Sequence, residues 1–491
     1  MTGVAIVAGV ADAERDVGLG AGQIQQDGRA SRVGHAALLE RRVGHATGRP
    51  VNRLRAAAHA ASPVDQQHHR QPGRIVVIDA FVEHWRVTQP ATIGTLIGME
   101  HHANGAMIFR TITCLPALIG AYRNRGGGKI GGPYYFHWQA INADALFDRV
   151  PEDPRIRSIN MVQLGRALND PALAPPIRAL MVYNSNPAAI APSQQIVLRG
   201  LRRENLFTVV HEQFLTDTAS YADYVLPATT QVEHFDLMWS WGHTNIALNQ
   251  PAIAPVGEAV PNSELVRRLA ARMGFDEPAF RESDETMIRA ALDSDHPYLR
   301  GITFERLAHD GWAPLSIPED WRPFAEGGFP TPSGKCEFYA EGLIAQGIDP
   351  LPTYTPARES PAGDPALAAR YPLALMTAKS ALHFLNSSYA NLPRHLNAER
   401  EPLLDMHPDD GAARGIADGD RVRVYNDRGS VELRVRLGDR VRPSLVAMPS
   451  GWWASRSPGG ASANTLTADG LSDAGGGGDF HDTLVEVARC D

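Results

Sequence analysis

Two short polar stretches carry residue types that could hold a nucleotide. Asn184–Ser185–Asn186–Pro187 follows the apolar run RALMVY, and His211–Glu212–Gln213–Phe214–Leu215–Thr216 follows NLFTVV. Asn and Ser side chains, backbone N–H groups and a helix N-terminus can hold phosphate or sugar oxygens. Glu212 is more pointed. A carboxylate can accept two hydrogen bonds from the adjacent N–H and amino donors of guanine, so Glu212 is a candidate guanine selector. Thr216 lies four residues on, one turn away if a helix starts there. By spacing alone, Asn184–Asn186 could equally form a plain turn and Glu212 be a solvated carboxylate. No G-x-G-x-x-G is present, so a nicotinamide-type fingerprint is not supported.

Other chemistries find less support. The three cysteines, Cys114, Cys336 and Cys490, are far apart in sequence and form no C-x-x-C pair. A disulfide framework, a Cys-based zinc site or an iron–sulfur cluster is therefore not expected within this chain. Three scattered thiols suit a reducing compartment. His68–His69, His101–His102 and the pair His234/His243 lack a ligand-like partner set, so no metal site is expected. The net charge of −8 implies no basic face, and nucleic acid is not an expected partner. No apolar run reaches the roughly 18–20 residues of a membrane helix, and no export signal is evident, so a cytoplasmic location is expected.

These residues need elements to position them. RALMVY (Arg178–Tyr183), NLFTVV (Asn205–Val210) and ADYVLP (Ala222–Pro227) read as strands, with the helical stretch SQQIVLRGLRREN between the first two. Strand, helix, strand in about 30 residues is a βαβ unit with parallel pairing. Ligands in such sheets bind beyond the C-terminal strand ends, where both polar stretches lie. NSELVRRLAARMGF (Asn262–Phe275) predicts a helix capped by Asn262 or Ser263, with Leu265, Val266, Leu269 and Met273 on one face and Gly274 as its stop. IDAFVEHW and MIFRTITCLPALIGAYRN show helical spacing, the second ending in Gly126–Gly128. From Tyr371 the pattern turns to β. DRVRVYNDRGSVELRVRL alternates as a hairpin about Asn426–Gly429, LVAMPSGWW and TLVEVA are further strands, and Gly475–Gly478 is a loop.

The resulting organisation is α/β. Residues 1–75 have no aromatic residue, the first being Phe81, and are expected to be a disordered or out-of-frame extension. Residues 76–175 are a mostly helical stretch, 176–280 a Rossmann-like nucleotide domain, 281–368 a linking region, and 369–491 a β-barrel-like domain.

The long ordered stretch Tyr183–Asp236 resembles the guanosine-binding core of the molybdopterin oxidoreductases, the dimethyl-sulfoxide-reductase and formate-dehydrogenase superfamily. It carries Asn186–Pro187, Glu212, Thr216, Thr218, Ala222, Asp223 and Leu226–Pro227–Ala228 in the family's order. LALMTAKSALHFLNSSYAN resembles a segment of the family's dinucleotide-binding barrel, with Thr377, Lys379, His383, Asn386 and Ser387 in its positions. Ala378 and Lys379 replace Gly and Arg there; Lys keeps the charge but loses the bidentate fork. MHPDDGAARGIADGDRV, Asn464 in ANTLT, Phe480–His481–Asp482 and FPTPSGKCEFY match further family signatures. The resemblance runs over residues 78–491 and implies that residues 76–175 are the remnant of an α/β domain and that the barrel over 369–491 is of the double-psi type.

The resemblance implies a molybdopterin guanine dinucleotide cofactor carrying molybdenum or tungsten, two-electron redox chemistry, and a possible redox partner protein. Asn184, Ser185, Asn186, Glu212 and Thr216 would hold the guanosine side. Thr377, Lys379, His383, Asn386, Ser387, Asn464 and Phe480 would contact the cofactor from the barrel. The family's metal ligand and its N-terminal Cys cluster lie before the matched region, so an N-terminally truncated enzyme is expected. No catalytic residue can be named. A catalytically inactive remnant or non-enzymatic nucleotide-binding module is the alternative.

Overall fold

The computed structural model describes residues 3–8, 72–147, 156–380, 382, 389 and 392–490. Strand β1 (Gly3–Ala8) comes first, followed by the helix Pro72–Val87. β2 (Thr92–Gly94) and β3 (Gly128–Ile130) pair in parallel on either side of the helix Gly105–Leu118. That helix does not run to Gly126 as its spacing suggested. It ends at Leu118, and Gly120 turns the chain in the left-handed region at φ 67°. Gly128 opens β3 at φ 108°, where a Cβ would lie 2.5 Å from the Tyr122 ring, so only glycine fits.

β4 (Ile177–Tyr183), β5 (Phe207–Glu212) and β6 (Tyr224–Pro227) are the three strands read from the sequence. With β1 they form one sheet of order β1-β4-β5-β6, parallel throughout. β1 falls within the first 75 residues, which otherwise lie mostly outside the described ones. GVAIVA holds no aromatic side chain, yet it pairs with β4 from Gly3↔Ile177 to Ala8↔Tyr183. Ladder hydrogen bonds and β-branched residues suffice for an edge strand. The helix Gln194–Leu201 links β4 to β5 and packs on the helix Leu164–Asn169. The two approach closely at Gly200, where an added Cβ would sit 2.6 Å from Leu168 Cβ.

β7 (Asp236–Ser240) and β8 (His243–Asn249) form a hairpin joined by β9 (Trp312–Pro314). Residues 281–368 contribute packed elements. Helices Asp284–Leu292 and Phe304–Asp310 bury Ile288, Leu292 and Leu307 against Phe136, Ile246 and Leu248 in a core of their own. Helix Asn262–Met273 forms as predicted and stops at Gly274 (φ 81°). Two details differ. Pro261 occupies the N-cap without a side-chain hydrogen bond, and Val266, Leu269 and Met273 are exposed while Ala270 is buried. Periodicity located the helix but not the face that packs.

β10 (Leu373–Lys379), β11 (Leu403–Met406), β12 (Arg421–Asn426), β13 (Gly429–Leu437), β14 (Leu445–Ser450) and β15 (Leu484–Arg489) close into a barrel of order β10-β14-β11-β13-β12-β15. Alternation sets its interior. Val422, Val424, Val431, Leu433 and Val435 point inward with Leu375, Leu404, Met406 and Val446. Each such side chain contributes about 1.5–3 kcal/mol by leaving water. Among the described residues no helix is long and apolar enough to cross a membrane.

Candidate cofactor site

Parallel pairing brings the ends of β4, β5 and β6 to one edge. Tyr183 lies opposite His211, and Glu212 opposite Pro227. Just past β4, Asn184 takes a left-handed φ of 52°, which Asn tolerates better than most residues, and Ser185 and Asn186 turn inward and are buried. Asn186 Oδ1 accepts from the Thr218 N–H (3.1 Å) and hydroxyl (2.7 Å). Thr218 Oγ1 in turn accepts from the Ala188 N–H at 3.0 Å. Asn186 Nδ2 is buried with no partner among the described residues. A buried amide donor is costly to leave unpaired, and a phosphate or ribose oxygen is the acceptor it fits.

Glu212 ends β5 half-buried, and its Oε1 accepts from the Gln213 N–H at 2.7 Å. Burial raises its pKa above the ordinary carboxylate value, against the lowering effect of that hydrogen bond. Two donors from a nucleobase edge would offset the burial. Its neighbour His211 is fully buried. Nε2 donates to the Pro227 carbonyl (3.2 Å), which leaves Nδ1 as an acceptor without a partner among the described residues. Thr216 is buried, but its hydroxyl accepts from the Ala219 N–H at 3.1 Å and serves the local turn.

The barrel covers this edge with a long segment between β14 and β15. Asp217, beside Thr216, accepts from the Ala454 N–H (2.6 Å) and the Ser455 hydroxyl (2.5 Å). Asn464 Nδ2 donates to the Ala189 carbonyl (3.0 Å), and its Oδ1 accepts from the Thr467 hydroxyl (2.9 Å). Gln194 bridges the Ala188 carbonyl and the Thr465 hydroxyl. Asn464 therefore joins barrel to sheet, with both side-chain ends bonded to protein.

Farther along, the same segment meets the start of helix Gly105–Leu118. That helix has no local side-chain cap. Asp473 supplies one through space, accepting from the Ala106 and Met107 N–H groups at 2.8 and 2.9 Å. Asp482 accepts from the Ala103 and Arg358 N–H groups and contacts His102 Nδ1 at 2.7 Å. The Phe480 ring lies 5.0 Å from His101, and the His481 ring 5.5 Å from His101. His101 Nδ1 donates to the Gly478 carbonyl at 3.2 Å, and His481 Nδ1 to Gly98 at 3.1 Å. Burial lowers the pKa of both rings, which keeps them neutral. Thr377 is buried on β10, and Lys379 ends that strand on an exposed position. Partial desolvation nevertheless lowers the Lys379 ammonium pKa. Lys379 charge also weighs against protonation of His101, so the β10 end and this cluster adjoin.

Of the residues proposed from sequence, Asn184–Asn186, Glu212 and Thr216 share the sheet edge, and Asn464 joins it. Thr377, Lys379 and Phe480 gather at the His101–His481 cluster. His383, Asn386 and Ser387 lie outside the described residues. Sequence reasoning missed Asp217, Asp473 and the role of His101–His102, and marked Asp482 only through the resemblance of its stretch. Their partners sit hundreds of positions away, and no local spacing marks them. Among the described residues no group of three His, Cys, Asp or Glu could hold a metal ion.

Comparison with known proteins shows what the chain is similar to. The family profile "Molybdopterin oxidoreductase" matches residues 41–272, and "Molydopterin dinucleotide binding domain" matches residues 373–484. The first begins well before residue 78, where the sequence resemblance was placed. The chain is 40% identical over 407 residues to the probable oxidoreductase YoaE of Bacillus subtilis, covering 82% of this chain and 57% of that protein. It is 31% identical over 454 residues to dimethyl sulfoxide reductase DmsA of Escherichia coli, covering 82% and 54%. The chain thus spans little more than half the length of these relatives. The solved structure of acetylene hydratase from Pelobacter acetylenicus superposes with a TM-score of 0.68 at 22% identity, covering 85% of this chain and 63% of that one, and shows the shared fold. The chain belongs to the molybdopterin oxidoreductases of the dimethyl-sulfoxide-reductase superfamily, and residues 373–484 are their dinucleotide-binding domain.

Proposed function

We propose that this chain binds a molybdopterin guanine dinucleotide and serves a two-electron oxidoreductase at a molybdenum or tungsten centre. The observation that carries the reading is the buried Asn186 Nδ2, without a partner among the described residues, at a parallel-sheet edge covered by the dinucleotide-binding barrel. Residues 176–280 act as a Rossmann-like guanosine domain and 369–491 as a double-psi-type barrel, with 76–175 belonging to a further α/β unit.

Glu212 selects guanine through its carboxylate. Asn184, Ser185 and Asn186 hold ribose and phosphate, and Thr216 shapes their turn. Lys379 supplies the positive charge that anionic phosphates favour, while Thr377 and Phe480 contribute from the barrel. Asn464 positions the two halves against each other. When bound, the cofactor supplies the redox metal; the protein binds, orients and electrostatically tunes it. Electrons pass to or from a separate redox partner protein.

The test is oxidation of a reduced viologen dye by a panel of S-oxides and N-oxides, with the purified chain produced with molybdate or with tungstate. Metal-dependent dye oxidation is expected with at least one oxide. Cofactor-loaded protein that turns over none of them, in either direction, contradicts the oxidoreductase reading.

A further inference from the structure

We infer that Lys379 is an acylation site: its ε-amine takes the acyl group of a small acyl phosphate held by Arg400 and Arg440 in a groove on the outer wall of the barrel. Lys379 ends β10 and lines this groove of about 560 Å³ together with Arg400, Leu403, Asp405, Arg436 and Arg440.

Barrel register builds the groove. β10 runs parallel to β14, with Lys379 opposite Ser450. β11 runs antiparallel to β14, with Asp405 opposite Ala447, and β13 lies beyond it, with Asp405 opposite Arg436. Leu404, Met406 and Val446 point into the barrel core, so Asp405 and Ala447, which alternate with them, face outward. Residues 398–401, before β11, and Arg440, after β13, complete the lining. β15, which follows the His101–His481 cluster, borders the opposite flank of β10. The groove is therefore separate from that cluster.

The carboxylates of the groove are already engaged. Asp405 accepts from Arg436 at 2.6 and 2.9 Å, and Glu401 pairs with Arg434 at 3.4 Å. Glu399 accepts from the Ser380 hydroxyl. Arg400 and Arg440 pair with no carboxylate among the described residues. Two guanidinium groups above an apolar floor of Leu403, Ala447 and Pro449 suit a phosphate carrying a short acyl chain.

Lys379 supplies the nucleophile. Partial burial of its ammonium lowers the pKa, so more of it is the neutral amine at a given pH. The amine nitrogen attacks the acyl carbon and a C–N bond forms. The C–O bond to phosphorus breaks, inorganic phosphate leaves, and the nitrogen gives up a proton to water. Arg400 and Arg440 stabilise the charge on the departing phosphate. The amide formed is uncharged, so the end of β10 loses its cation.

The chain has three lysines, which supplies internal controls. Lys335 is exposed on a turn, and Lys129 is buried with its ammonium over the Phe109 ring. The experiment incubates the folded full chain with acetyl phosphate at neutral pH and follows acetylation of each lysine by peptide mass spectrometry. Lys379 is expected to acetylate several-fold faster than Lys335. Inorganic phosphate should slow Lys379 alone. Arg400→Gln with Arg440→Gln should bring Lys379 down to the rate of Lys335 while leaving Lys335 unchanged. Acetylation of Lys379 no faster than that of Lys335, or a Lys379 rate indifferent to phosphate, overturns the inference. Phosphate competition on the unaltered chain decides alone should the double variant not fold.

Discussion

Asn186 and Thr218 are locked together at the sheet edge: the Asn186 carboxamide oxygen accepts from both the Thr218 hydroxyl (2.7 Å) and its backbone N–H (3.1 Å). The Thr218 hydroxyl also accepts from Ala188. Thr218→Val keeps the shape and removes both hydroxyl bonds. It should cost about 1–3 kcal/mol, because a buried N–H is left unpaired. Urea unfolding should show a lower midpoint at unchanged slope. An unchanged midpoint would show that the Asn186 turn does not depend on this bond.

Asn464 bonds the Ala189 carbonyl and the Thr467 hydroxyl while buried between barrel and sheet. Asn464→Ala should destabilise by about 1–3 kcal/mol. It should also weaken cofactor retention, because the barrel no longer registers on the sheet edge. A variant of full stability that sheds cofactor would assign Asn464 a direct contact instead.

Gly200 sits where two helices touch. An alanine Cβ there would meet Leu168 Cβ at 2.6 Å, and backbone cannot move aside cheaply. Gly200→Ala should lower stability by about 1–3 kcal/mol despite the better helix propensity of Ala. Calorimetry checks this; a raised Tm would mean the contact relaxes freely.

His101 and His481 give a pH signature. Burial holds both pKa values below 6.5, so between that value and the folded pKa the unfolded chain binds more protons. Stability therefore falls as the pH drops below 6.5. The slope is at most about 1.4 kcal/mol per pH unit for each group. His101→Gln should flatten the decline in urea midpoints across this range. A wild-type midpoint independent of pH there would show that the rings are not buried neutral.

Much of this arrangement was legible in local pattern. Period-two alternation in Arg421–Leu437 gave the barrel hairpin, and short apolar runs gave β4, β5 and β6, because each reports the face its own strand buries. The position of Glu212 and Asn186 at the sheet edge was legible because each directly follows or ends a strand of the βαβ pattern. What stayed hidden is non-local. Asp473 caps a helix 367 positions upstream, and Ala270 rather than Val266 faces its core. None of these leaves a periodic trace, since each partner is chosen by tertiary packing. β1 was hidden for another reason: six small apolar residues in a segment poor in aromatics look unlike a core, yet a sheet edge needs little more.

The central claim is that the sheet edge and barrel together hold a guanine dinucleotide chosen by Glu212. Its most direct test is the content of guanine nucleotide, pterin, molybdenum and tungsten in the purified folded chain, wild type beside Glu212→Ala. Near-stoichiometric guanine and metal in the wild type, and depletion of guanine in an equally stable Glu212→Ala, is the expected result. A folded wild type carrying neither guanine nor metal, or a variant with undiminished guanine, would contradict it.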